Sequence, residues 1–524
     1  MSKSRHVVFG WLAFAFAFAA GCASPSMDMA ESGVREYDEG SPDDTTDESD
    51  NGGGLTPGDE PIALAPPQIA GDAIYIPNPN RNTVTRIHTR TLEVQILPVG
   101  KSPTRAIPIL GGDWIVTFNS GEPSVTALRA DGSDTVVAQL PQDVNDIALD
   151  TSTGWGLAYV NRQLWPDDDP PEPVESLSGL TIFSATTGQA ETYSIGEPVE
   201  AIRFANDGSA LAVVVTRTQV FVLDMPTQSF TRYGFSLPVL EMNLFESAQR
   251  LFVRTEQSQL TVMELGSGAT STVNLGGIPT DIDNPSGEAA IYGVYANAPT
   301  GHAVLFRLDV ESLDVTTATL PLALNRITLH GPTQRGIGFV TGSSDDSFVA
   351  FDYTSSLTLT TELRQAVLPV ADVLAAPGGE SFLLDHAVCD CSNIDDYFDG
   401  VEAVSLLRWD SGVLTPIRLA AAVDTWSLQN NGRLAYASLP DAGAMLLLDL
   451  ERQLPAVVIT PSTPTYTGSL ALANDELGRL YIAQEHDLGR LSILTVTDVR
   501  SDIEYRVDTV TGFELNSLIE TAQP

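Results

Sequence analysis

Residues 74–106 read IYIPNPNRNTVTRIHTRTLEVQILPVGKSPTRA. The stretch opens on a short apolar run, turns through the Asn- and Pro-rich NPNRN, continues as an alternating strand, turns again and closes on VGKSP. Strand-forming residues bounded by Gly, Asn, Pro and Asp are the pattern of short antiparallel strands joined by tight turns. Working outward, the same order recurs about every 40 to 55 residues: SALAVVVTRTQVFVLDMPTQSFTRYGF at 209–235, QRLFVRTEQSQLTVMELGSGATSTVNLG at 249–276 and GRLAYASLPDAGAMLLLDLERQLPAVVI at 432–459. Convincing helical periodicity is absent throughout, so the chain is predicted to be all-β.

A repeat of this length, holding four short strands, is the size of one blade of a β-propeller. On IYIPN, the Asn-rich turn and the closing VGKSP, residues 74–106 resemble the YVTN-type repeat of WD40-like β-propellers. The match is good over this repeat and degenerate elsewhere. The resemblance implies an extracytoplasmic, surface or binding role more than a defined chemistry. Units align by the residue before each new inner strand: Ala106, Asp146, Ala201, Glu241, Asp281, Arg326, Asp372, Thr425 and Ser469. These junctions delimit about 7–10 four-stranded units within 66–520, in one ring or two smaller rings, with insertions near 163–177 and 386–402. A β-helix has shorter, more even coils, and tandem sandwiches lack so regular a period.

The chain begins with Lys3 and Arg5, an apolar stretch from Val7 to Ala20, and then Gly21 and Cys22. The stretch is shorter than the roughly 20 residues of a membrane-spanning helix. The order Ala19-Ala20-Gly21-Cys22 resembles a bacterial lipoprotein signal, which implies removal of residues 1–21 and lipidation of Cys22. That family prefers Leu where Ala19 stands, so cleavage by an ordinary signal peptidase stays open. Several buried acyl chains hold a protein on a membrane where one chain is marginal. Ala23 rather than Asp after the cysteine implies passage to the bacterial outer membrane, facing periplasm or cell surface. Residues 22–65 are acidic, small and turn-forming, and read as a disordered tether.

Charge narrows the partners. The 68 acidic against 27 basic residues leave a formal charge of −41, and Lys101 is the only lysine beyond residue 21. A field of that sign repels phosphate backbones, so nucleic acid is not an expected partner. If the propeller reading holds, Asp146, Glu241, Asp281 and Asp372 gather near one mouth of the channel, with Arg326 as an opposing charge. Crowded carboxylates gain from a cation, so a metal ion, a polyamine or a basic peptide fits there. The bland alternative is that polar junction residues are solvated loops.

Soft ligands concentrate in DHAVCDCSNIDDYFDG at 385–400. Cys389 and Cys391 are expected to form a local disulfide in an oxidising compartment. A transition-metal site using His386, Cys389, Cys391 and Asp385 is the alternative, and Asp395, Asp396, Asp399 and Glu402 are candidate calcium ligands in the same loop. Asp-rich turns also simply face water.

Catalytic signals are sparse. His88, His302, His330, His386 and His486 are scattered singly, and no GxSxG, HExxH, P-loop or Rossmann fingerprint is present. Carboxylates are abundant, yet none is singled out by context. Trp114, Trp155 and Trp426 read as blade-packing residues, and Trp165 as a loop anchor or an exposed carbohydrate contact. The expectation is a lipid-anchored envelope scaffold binding a protein, peptide or glycan. Its rivals are an extracytoplasmic propeller enzyme, hydrolase or oxidoreductase, with a metal or carboxylate site at the channel mouth, and a purely structural assembly component.

Overall fold

The computed structural model describes residues 64–164, 177–388 except 206 and 298, 398, and 400–522 except 430–432, 452–455, 462–464, 473–478, 485, 487, 488, 499–502 and 513–517. The signal, residues 22–63 of the tether, Trp165, Cys389, Cys391, Asp395, Asp396 and Asp399 lie outside the described residues; the tether's expected end at 65 is too late, since Ala65 is buried and its N–H donates to the Pro77 carbonyl at 3.0 Å.

Side chains alternate across a strand with period two, so a strand apolar on both sides needs two covered faces. The second and third strands of each repeat are of this kind: Ala73–Asn78 is buried at all six positions, and Leu211–Thr216 is buried at all but its first. The fourth strands are mostly exposed, as in Ser229–Gly234. Strands pair in chain order as antiparallel sheets, and ten such sheets are formed among the described residues. In order, these blades span Gln68–Pro98, Pro103–Gln139, Asp146–Ser194, Val199–Gly234, Glu241–Asn274, Asp281–Thr319, Arg326–Gln365, Val370–Arg418, Thr425–Ile459 and Thr465–Ala522. The tenth departs from the expected four strands, because the chain runs on and Leu518–Ala522 pairs with the outer strand Glu504–Thr511.

The blades form one ring. First strands touch between blades one and two, six and seven, seven and eight, nine and ten, and ten and one, so they are the inner strands. An apolar cluster fills each successive interface between blades. The last interface closes the circle: Ile74, Ile76 and Ile87 of blade one pack with Tyr481, Leu491, Ile493 and Val510 of blade ten. Two smaller rings would need a second closure among these interfaces, and each apolar cluster instead joins a blade to its neighbour in sequence.

The diagnostic stretch is held by its own residues. Pro79–Arg81 is a 3-10 turn ended by Asn82 at φ 57°, a left-handed conformation that asparagine tolerates. The Asn82 side-chain oxygen accepts the Ser102 N–H at 2.9 Å, and its carbonyl accepts Val99 N–H at 3.0 Å, so the Asn-rich turn and VGKSP interlock. A Cβ on Gly100 would lie 2.6 Å from Asn119 Nδ2. Asn78 and Asn119 each end a second strand and clip it to the third, Asn78 Nδ2 donating to Thr85 Oγ1 at 2.8 Å and Asn119 Nδ2 to Thr126 Oγ1 at 2.9 Å.

Three blades use a glycine opposite a phenylalanine across the second and third strands: Gly156 and Phe183, Gly293 and Phe306, Gly336 and Phe351. The ring lies over the glycine, and a Cβ on Gly336 would sit 2.6 Å from Phe351 Cζ. Replacing Gly336 by Ala is expected to lower stability by about 1–3 kcal/mol, as overpacking does. Urea unfolding of Gly336→Ala beside wild type checks it, and an unchanged midpoint would refute the close approach.

Candidate functional site

Antiparallel order puts the start of strand one and the end of strand two at the same end of every blade. Connections between blades and connections between second and third strands therefore share one side of the ring, here called the front face. The strand ends that the two insertions join, Tyr159 with Gly179 in blade three and His386 with Ala403 in blade eight, lie on it.

The aligned junction residues hold one place in the blades, but they lie in the inner strands and not before them. Asp146, Glu241, Asp281, Arg326 and Thr425 are first residues of their strands. Ala106, Ala201, Asp372 and Ser469 lie further in, because their strands begin earlier and carry a register shift near that point.

Blades five to eight bring most of the charged junction residues together. Arg254 Nε meets Glu241 Oε2 at 3.0 Å, and its Nη1 donates to the Pro279 carbonyl at 3.1 Å. Arg326 Nη1 meets Asp281 Oδ1 at 3.1 Å. The second Asp281 oxygen accepts Ile327 N–H at 2.8 Å, and Asp283, two residues on and so on the same side of the strand, accepts Leu329 N–H at 2.6 Å. Inner strands of neighbouring blades share no backbone ladder, and the carboxylates of blade six satisfy strand donors of blade seven instead. Asp372 is exposed and accepts Val373 N–H at 2.9 Å.

This crowding shifts ionisation. Burial pushes Asp283 up from 3.8 to about 7, and the negative charges of Asp281 and Glu241 add to it against the Leu329 N–H. Asp385, on the second strand of blade eight, is pushed up to about 6 by burial, with Asp372 and Glu402 adding repulsion. Burial also raises Glu241 and Asp281, opposed by Arg254 for the first and by Ile327 N–H and Arg326 for the second. The result is a channel wall on which Asp283 and Asp385 change charge near neutrality, able to hold a proton or meet a cation.

Asp146 stands apart, three blades from Asp281. Its side chain is 4% exposed and meets Arg105 of blade two at 2.7 Å. It also accepts from Ile147 N–H at 2.8 Å, Tyr159 Oη at 3.0 Å and Asn161 Nδ2 at 2.8 Å. A carboxylate with four donors ties two blades and has little left for a ligand.

His386 is buried, with Nε2 2.7 Å from Ser405 Oγ of the neighbouring strand. Burial lowers its pKa to about 4, so the ring is neutral at pH 7. Among the described residues no three His, Cys, Asp or Glu side chains converge as a metal site requires. Asp283, Arg254 and Arg105 were not singled out by sequence. Period-two spacing in Asp281-Ile282-Asp283 was the available signal for the first, whereas the arginines depend on register between strands far apart in sequence.

Neither a described protein family nor a curated protein sequence matches the chain. Solved structures similar to it include the dihydro-heme d1 dehydrogenase NirN in complex with DHE, at 13% identity over 68% of this chain and 75% of that one, TM-score 0.39. Hydrazine synthase of Kuenenia stuttgartiensis matches at 14% over 59% and 100%, TM-score 0.36. A eukaryotic initiation factor matches at 11% over 70% and 90%, TM-score 0.45.

Two outcomes are expected. A carboxyl whose pKa is raised by folding holds a proton that the unfolded chain has released, so it makes stability fall as pH rises from about 4 towards 7. Thermal unfolding at pH 5 and pH 7.5 should show a smaller loss for Asp283→Asn than for wild type, and parallel losses would refute the shift. Asp146→Ala, which strands Arg105 and three further donors, should cost at least about 2 kcal/mol in urea unfolding.

Proposed function

We propose that the protein is a lipid-anchored scaffold of the bacterial cell envelope, which uses the front face of its ring to bind a protein, peptide or glycan. Cys22 closing the apolar N-terminal segment supports the anchor, and Ala23 supports the outer membrane. The YVTN-type resemblance of residues 74–106 supports an extracytoplasmic binding role. One observation carries the choice of face: the charged inner-strand residues of blades five to eight and the strand ends that flank both insertions are on the same side of the ring. Loops held by a rigid ring are where such folds bind.

A second reading, an extracytoplasmic hydrolase or oxidoreductase, is favoured by Asp283, whose ionisation near neutrality suits acid–base work beside Glu241. A turnover that vanishes with Asp283→Asn, Glu241→Gln or Asp281→Asn while the fold persists would select it.

The scaffold reading is tested in two steps. Wild-type protein should fractionate with membranes and Cys22→Ser should not; equal distribution would refute the anchor. A photo-crosslinking residue at exposed Ser344, between the second and third strands of blade seven, should then trap an envelope component that one at Ser133, on the opposite side, does not. Equal trapping at both positions, or none at either, would refute the front face as the binding side.

A further inference from the structure

Blade ten shows what the outer edge of a blade in this chain accepts. Its fourth strand, Glu504–Thr511, is eight residues long and takes Leu518–Ala522 as an antiparallel fifth strand. In every other blade the fourth strand is the last of its sheet among the described residues. Three of these edges are blunted: blades one and eight carry Pro98 and Pro416 in the strand, and that of blade nine is three residues long. Blade seven is the opposite case. Leu359–Gln365 has seven residues, the longest of the uncovered outer strands, with neither proline nor glycine.

The free side of that strand follows from its register. Ala366 N–H donates to the Asp346 carbonyl at 2.9 Å and Thr354 N–H to the Thr358 carbonyl at 3.2 Å, at the two ends of the register that pairs Ala350 with Glu362. Bonded pairs alternate along an antiparallel ladder, so Thr360, Glu362 and Arg364 spend their backbone groups on the third strand of the blade. Leu359, Thr361, Leu363 and Gln365 turn theirs outward, and the Leu363 side chain is exposed as well.

A cavity of about 100 Å³ lies beside this edge, between blades seven and eight, lined by Asp352, Thr360, Glu362, Arg364, Leu407 and Trp409. Pockets for small molecules run to about 300–1,000 Å³, so this one has room for a single side chain. Its arginines are turned in and its carboxylates out. Arg364 is 16% exposed and Glu362, bound to its Nη2 at 2.6 Å, 65%; Arg335, whose Nε is 3.8 Å from Asp352 Oδ1, is 19% exposed and Asp352 57%. Arg364 Nη1 also donates to the Gly412 carbonyl, and Arg335 lies 5.5 Å over the Trp409 ring, whose Nε1 donates to Asp352 Oδ1 at 3.2 Å. A side chain entering here meets carboxylate oxygens before guanidinium.

We propose that the outer edge of blade seven, Leu359–Gln365, accepts an extended segment of a partner protein as an added antiparallel strand, with a basic side chain of the segment reaching Glu362 and Asp352 at the cavity and an aliphatic one lying on Leu363. Outer strands form the rim of the ring, so this surface goes beyond the front-face reading and stands or fails apart from it. Main-chain bonds to Thr361 and Leu363 supply the affinity of such a strand, and side chains alternating between its two faces supply its selectivity. Residues opposite Glu362 and Leu363 are neighbours in the segment, which therefore alternates basic and aliphatic. A second copy of this chain is a poor occupant, because 68 acidic residues against 27 basic ones make copies repel.

Fluorescence anisotropy of a labelled peptide of alternating lysine and valine, titrated with the full-length protein in detergent, tests this. Thr361→Pro removes an outward N–H and leaves the ladder intact, as proline on an edge strand does, and should weaken binding at least tenfold. Val137→Pro, on the exposed outer strand of blade two, should leave binding unchanged. Glu362→Gln with Asp352→Asn should weaken it several-fold. The same peptide N-methylated at its valines keeps every charge but cannot pair its backbone, and should bind wild type at least tenfold more weakly; this comparison decides even if melts show a variant to be unfolded. Absence of binding to wild type, equal binding of the methylated peptide, or equal losses in Thr361→Pro and Val137→Pro would each overturn the proposal. A dimer in sedimentation velocity that Thr361→Pro abolishes would give the edge to a second copy and overturn it too.

Discussion

Everything in this ring depends on apolar strands that need covering on both faces. The second and third strands of a blade bury residues on each side, and neither side has anything to cover it except the next blade. Val213 and Val215 turn towards blade five while Ala212 and Val214 turn towards blade three, so one strand serves two interfaces. An open arc would leave two such faces in water, and at roughly 25 cal/mol per Å² of apolar surface that exposure is costly. The packing of Ile74, Ile76 and Ile87 against Tyr481 and its neighbours removes both open ends at once. Closure is therefore a consequence of the strand pattern, with the first and last blades brought together by the same apolar contact that joins every other pair.

The inner wall obeys a different constraint. Inner strands converge without pairing, so their side towards the next blade lacks a ladder. Asp281 and Asp283 meet this by reaching from blade six to Ile327 and Leu329 N–H, and Thr328 Oγ1 reaches from blade seven to the Val373 carbonyl at 3.2 Å. These carboxylates have a structural task, and the same burial that lets them perform it keeps some of them protonated near neutrality. The acidic mouth is accordingly a mixed object: Asp146 is consumed by four donors, Glu241 and Asp281 are countered by arginine, and burial favours the protonated forms of Asp283 and Asp372.

Individual blades secure the shared four-stranded plan with different local devices. Clipping asparagines at 78 and 119, glycine under phenylalanine in blades three, six and seven, and the two-way clamps of Asn145 on Asn161 and Asn325 on Thr341 in blades three and seven each satisfy a local need.

Period-two alternation, turn residues and a repeat of about 40 to 55 residues are local properties, and they were enough to specify an all-β propeller of four-stranded units. Even the bulged strands left the junction alignment intact, since a shift within one strand does not move the residues beyond it. Three matters were decided only by tertiary structure. The number of blades in one ring depends on which faces meet, and Ile74 and Tyr481 are four hundred residues apart. The fifth strand of the last blade depends on an unpaired outer edge that no repeat pattern encodes. The state of each mouth carboxylate depends on Arg105, Arg254, Arg326 and the strand donors of a neighbouring blade, because charge and desolvation are set by distance in space and not along the chain.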